Sequence, residues 1–166
     1  MPGSGVTVPS ATGRRVSLKA LIGSGDRIAL FTVPIALVVL GLWAMDQSRF
    51  AVDASAPLVR AIALVVLAVG LVGWAWSVVL ILTVVPKGEL ITSGPFAVVK
   101  HPLYTSVGLL VLPAIGILLG TWLGIVIGVA LYVGARLFAP AEEHELQGRF
   151  GALWDAYEHR VLLPWL

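Results

Sequence analysis

Lys100-His101-Pro102-Leu103-Tyr104 places an ammonium, an imidazole and a phenol within five residues, and Glu142-Glu143-His144-Glu145 places three carboxylates and a second imidazole within four. Both clusters border long apolar runs. Such groups can grip a polar ligand, accept hydrogen bonds from its hydroxyls or amines, or carry a proton. Ionisable side chains at the edge of membrane-type segments are the first place to look for chemistry.

The rest of the chain says what must position them. Of its 166 residues, 58% are hydrophobic and 12% charged, and the mean hydropathy of +0.97 lies far outside the range of an ordinary soluble domain. The sequence therefore predicts an all-α, polytopic membrane protein with about four transmembrane helices, a length that leaves no room for a separate soluble catalytic domain. Any site must be built from loops and helix ends at the bilayer surface. A net charge of +2 without a basic run interleaved with aromatics argues against nucleic acid, and the absence of cysteine excludes disulfides, thiolate metal ligands and a thiol nucleophile.

Residues 1–25, rich in Gly, Ser, Pro and Thr and carrying Arg14, Arg15 and Lys19, read as a flexible basic tail. No small-residue cleavage site follows the first apolar run, which argues against a signal peptide. Residues 26–166 read as one membrane-embedded domain, its catalytic half at about 87–166. The apolar segments are Ile28 to Met45, Leu58 to Val85, Leu103 to Leu119 and Trp122 to Phe138. Only Gly120-Thr121 separates the last two, which predicts a tight helical hairpin, with a re-entrant pair as the alternative. Pro34 and Pro113 predict kinks. Gly70, Gly73, Gly116, Gly120, Gly124 and Gly128 allow close helix packing. Four crossings would put Arg14, Arg15, Lys19, Arg27, Lys87, Lys100, Arg149 and Arg160 on one side, so both termini and both polar clusters are expected to be cytoplasmic. The Ala, Val and Gly bias suggests a bacterial plasma membrane.

Charges return in a helix-permissive pattern from Ala141 to about Val161. Leu146, Phe150, Leu153, Tyr157 and Val161 draw one apolar stripe, which predicts a C-terminal amphipathic helix closing the site. Glu142 and Glu143 start that face, while Glu145, Gln147, Arg149, Asp155 and Glu158 can face water. Carboxylates on a docking face need a cation or hydrogen-bond donor, although an acidic pair at a helix N-terminus can also serve the helix dipole alone.

From Lys87 to Leu166 the chain resembles isoprenylcysteine carboxyl methyltransferases and their phospholipid N-methyltransferase relatives. The resemblance is carried by Thr92-Ser93-Gly94-Pro95-Phe96-Ala97-Val98-Val99-Lys100-His101-Pro102-Leu103-Tyr104, then a hydrophobic hairpin, Glu142-Glu143, Phe150-Gly151 and an ending from Tyr157 to Val161. It implies an α-helical membrane enzyme that takes S-adenosylmethionine from the cytosol, releases S-adenosylhomocysteine, uses no metal and methylates a lipophilic acceptor from the bilayer. By the same resemblance His101 and Tyr104 contact the cofactor, Glu142 and Glu143 hold its polar groups, and Arg160 lies close to the acceptor. The backbone near Gly94 could also approach the cofactor. Lys100 stands where the family has Arg, and Trp154 stands for the first of two tyrosines, the second being Tyr157.

Methyl transfer from a sulfonium is an in-line displacement, so the protein has chiefly to align the partners and exclude water. Carboxylates and aromatic faces at Glu142, Glu143, Tyr104 and Trp154 suit a cationic donor. A carboxylate acceptor is already nucleophilic and would be oriented by Arg160; an amine would need a base, with Glu143 or His101 as the candidates. The lean is toward the carboxylate. A non-catalytic membrane scaffold with the same fold is the rival reading, whereas a transporter would need an ionisable residue in mid-span. The sequence leaves the oligomeric state open.

Overall fold

The computed structural model describes residues 25–164. The expected basic tail lies outside the described residues apart from Gly25, as do Trp165 and Leu166. The helices are α1 (Gly25–Met45), α2 (Pro57–Val84), the single turn α3 (Pro95–Val98), α4 (Pro102–Leu118), α5 (Leu123–Phe150) and α6 (Ala152–Glu158), and among the described residues pairing of extended chain is confined to isolated bridges. Proline opens α2, α3 and α4. Its fixed φ suits the first turn, and its missing N–H is one the helix would leave unbonded there anyway.

Helices α1, α2 and α5 are long and apolar enough to cross a bilayer. Their outer faces are bare, with Leu30 77% and Met45 85% exposed. Water would not tolerate that much apolar surface and lipid would, so this is an integral membrane protein. The fourth expected crossing, α4, is shorter: its length of about 26 Å falls just under a hydrocarbon core of roughly 30 Å.

Helix α5 packs against α1 and α4, and α4 packs against α2. Gly120 adopts φ 70° at the turn between α4 and α5. Behind it Gly124 and Gly128 lie directly on the carbonyls of Leu112 and Gly108, where a side chain would have no room. The expectation of glycine-mediated packing holds at this hairpin. At Pro113, where a kink is expected, the helix departs from regular α geometry. Unable to donate an N–H into the helix, the proline follows a π-helical stretch over Ser106–Val111 in which the turn is widened.

The hairpin turn docks on the α1–α2 connection: Val52 N donates to Gly120 O at 2.8 Å, Trp122 N donates to Phe50 O at 3.1 Å, and the Phe50 and Trp122 rings stack at 4.8 Å. The opposite end of the bundle gathers the start of α1, the end of α2, residues 85–101 and residues 141–164. Both polar clusters are at that end.

The expected helix from Ala141 to Val161 is corrected. Helix α5 instead runs on through Glu142 and Glu143 to Phe150, where Gly151, at φ 52°, breaks it before α6. The break resets the helical phase. Leu153, predicted on the buried stripe, is 67% exposed, and Trp154 takes its place in a small core with Tyr157 and Val161, against which Leu90, Leu146 and Phe150 pack.

Candidate active site

Each half of the site is aimed by a local feature of the chain. Pro102 disfavours helical backbone at the residue before it, so His101 sits outside the first turn of α4, with φ −122° and ψ 61°. The proline itself is fully buried. The polar extension of α5 then brings Glu143 opposite: His101 Nε2 lies 3.1 Å from Glu143 Oε1, and Lys100 Nζ donates to Glu143 Oε2, also at 3.1 Å. A carboxylate only accepts, so the hydrogen in the first bond sits on Nε2, and a neutral ring keeps Nδ1 as an acceptor. Lys100 donates as well to Glu158 at the end of α6. One ammonium thus ties residues 95–101 to both α5 and α6, and Glu158, expected to face water, is part of the site.

The Lys100 side chain is only 7% exposed. Burial alone would lower its pKa, but the bonds to Glu158 and Glu143 and their charges outweigh that and raise it above its ordinary 10.5. For Glu143 the His101 hydrogen bond is the largest influence; burial opposes it, Lys100 reinforces it, and the result lies below the ordinary 4.5. The stabilisation that Glu143 gains is present above its ordinary pKa and disappears as pH falls through the depressed one, while that of Lys100 is present below 10.5 and disappears as pH rises through the elevated one. We expect the thermal midpoint of the detergent-solubilised protein to stay flat from about pH 5 to about pH 10 and to fall on both sides. In Lys100→Met both of these slopes should become shallower.

Above this cluster lies a cavity of about 440 Å³, within the usual range for a small-molecule site. Lys100, His101, Tyr104 and Glu142 give it a polar side, and Ile81, Val85 and Leu103 an apolar one. Trp154 and Tyr157 also line it, with their rings 5.4 Å apart. The Tyr157 hydroxyl donates to Phe96 O at 2.9 Å, and burial raises its pKa.

The sequence-predicted residues are not all alike in this structure. Glu142 faces the cavity, whereas Glu143 stands behind it, holding Lys100 and His101. Gly94, at φ 63°, packs against Trp76 and Leu80 of α2 rather than lining the cavity. Arg160 is exposed and lines a neighbouring cavity of about 620 Å³, which shares Leu90, Phe150 and Tyr157 with the first. Arg149, expected to face water, is exposed as expected, and it also lines the first cavity. The helical phase of Glu142, Leu146, Arg149 and Phe150 carried that signal, since these positions share one face of an unbroken α5. Among the described residues no cluster of His, Asp and Glu suited to holding a metal ion is found.

No curated protein and no solved structure matches the chain significantly. The model of one family does match, over residues 54–148, which begins earlier than the resemblance noted in the sequence and ends before Trp154, Tyr157 and Arg160. That stretch holds α2, Gly94, His101, Tyr104, the α4–α5 hairpin and the paired glutamates, and on it the chain belongs to the isoprenylcysteine carboxyl methyltransferase family of membrane methyltransferases.

Proposed function

We propose that this protein transfers a methyl group from S-adenosylmethionine to a lipophilic acceptor resident in the membrane, with a carboxylate as the preferred acceptor class. The observation that carries the proposal is the single cavity joining a polar wall at His101, Tyr104 and Glu142 to an apolar wall at Ile81, Val85 and Leu103. Its size suits one nucleoside-sized ligand. When bound, S-adenosylmethionine supplies a methyl group already activated on a sulfonium. Glu142 accepts hydrogens from ribose hydroxyls or an amino group, His101 and Tyr104 supply the adjoining polar and aromatic contacts, and Trp154 with Tyr157 keeps that wall dry. Arg160 is assigned to the polar head of the acceptor at the neighbouring cavity, next to Tyr157.

Glu143 receives a positioning role in place of the catalytic one expected from the sequence. Its depressed pKa makes it a weak base, and both of its oxygens are already engaged. A carboxylate acceptor needs no proton removed, which is why it is preferred to an amine. In this reading α4 completes a fourth crossing, so both chain ends and the site lie on the cytosolic side, where the donor is dissolved.

The test is to incubate membranes containing the protein with donor labelled in its methyl group and then extract the lipids. Label is expected in a lipid fraction and is expected to be released as methanol by mild base, as a methyl ester requires. Base-stable label would move the acceptor to an amine. Absence of transfer, together with no binding of S-adenosylhomocysteine at millimolar concentration, would rule out the methyltransferase reading.

A further inference from the structure

Among the described residues, three cationic or potentially cationic side chains line the first cavity, and two of them are already engaged: Lys100 by Glu143 and Glu158, His101 by Glu143. Arg149 is the third. Among the described residues it makes no ion pair with a carboxylate. Its guanidinium carbon stands 5.3 Å from the centre of the Phe150 ring, and one terminal nitrogen approaches Gly88, where a Cβ would meet it at 3.6 Å. An aromatic face and a side-chain-free turn flank this exposed group at the cavity rim, and among the described residues no anion takes up its hydrogen-bonding edge.

Glu142, Leu146, Arg149 and Phe150 all line the cavity from α5. Glu142 and Arg149 are seven residues apart, which on an α-helix means the same face and about 10 Å of rise. The wall therefore has a hydrogen-bond acceptor at one end, an apolar middle and a planar cation at the other. A complementary ligand is about 10 Å long, with donor groups at one end and a carboxylate at the other. An adenosyl amino acid has that form, its hydroxyls and ring amine being separated from its α-carboxylate by the thioether or sulfonium chain.

On this basis we infer that Arg149 binds the α-carboxylate of the methyl donor and that Glu142, two turns earlier on α5, receives the nucleoside end. The inference rests on the methyltransferase reading. It assigns the Arg149 guanidinium to the donor, leaving any carboxylate on the acceptor to Arg160.

Calorimetric titration of the full chain in detergent tests this with two ligands: S-adenosylhomocysteine, which has the carboxylate, and 5′-methylthioadenosine, which lacks the amino-acid portion. Arg149→Met is expected to weaken S-adenosylhomocysteine roughly 10- to 100-fold, as loss of a charge-assisted pair implies, and to leave 5′-methylthioadenosine unchanged. Arg149→Lys, keeping the charge without the fork, should fall between. Unaltered binding of S-adenosylhomocysteine by Arg149→Met would overturn the inference, and so would an equal loss for both ligands, which marks a damaged cavity rather than a missing carboxylate contact. Failure of the unmutated protein to bind S-adenosylhomocysteine would instead remove the methyltransferase reading and this inference with it.

Discussion

Alanine at position 128 is expected to pry α4 from α5 and to destabilise the protein by about 3 kcal/mol or more, near the upper end for overpacked sites. The added methyl would run into the carbonyl oxygen of Gly108 and would also stand 3.2 Å from Pro113 Cδ. Backbone cannot rotate away as a side chain can. Because the same hairpin brings Lys100 and His101 within reach of Glu143, we expect Gly128→Ala to lose donor binding along with stability. Gly41→Ala is the control: a Cβ there meets nothing within 4 Å, so the change should be neutral or stabilising by up to about 1 kcal/mol through helix propensity. Thermal midpoints of both variants in one detergent would measure the difference, and similar midpoints would mean that the hairpin is not packed this closely.

The second large effect is expected at Lys100. Removing its ammonium in Lys100→Met leaves Glu143 and Glu158 facing a site without their shared cation. For a fully buried pair such a loss costs about 3–5 kcal/mol. Glu143 is 22% and Glu158 43% exposed, so water offsets part of the penalty and about 2 kcal/mol is expected. Binding of S-adenosylhomocysteine should weaken at least tenfold, since α6, with Trp154 and Tyr157, loses its tie to residues 95–101. Lys100→Met combined with Glu158→Gln should recover part of the stability, a coupling that a double-mutant cycle reads directly. Lys100→Arg restores the residue type found in the family and should keep stability within about 1 kcal/mol, its longer planar head still reaching both carboxylates. If Lys100→Met unfolds at the same temperature as the parent protein, the ion triad is not holding the site together.

The helical membrane character was legible because lipid imposes its demand on composition itself: a crossing must be a long apolar run with its backbone bonded internally. The four segments, the glycine faces and the Gly120-Thr121 turn are all visible in one dimension. The helix starts at Pro57, Pro95 and Pro102 are equally local, since a proline acts on its own residue and the one before it. The C-terminal helix was misread for the complementary reason. Whether Phe150-Gly151 continues a helix or breaks it depends on where α6 can bury Trp154, and the apolar stripe drawn through Leu153 assumed one continuous phase.

Sequence alone thus marked the groups proposed for the site: an imidazole before a proline, a lysine, a phenol and a glutamate pair, all at the edges of apolar runs. Their division of labour was decided in three dimensions. Glu142 and Glu143 are adjacent and chemically identical, yet successive helical residues point about 100° apart, so one meets the cavity and the other turns to Lys100 and His101 behind it. Glu158 reaches Lys100 across 58 residues, and Arg149 reaches the cavity only because α5 runs on past Glu143 to Phe150. A sequence carries no angle between distant helices. Which carboxylate turns to Lys100 and His101 and which lines the cavity depends on that angle.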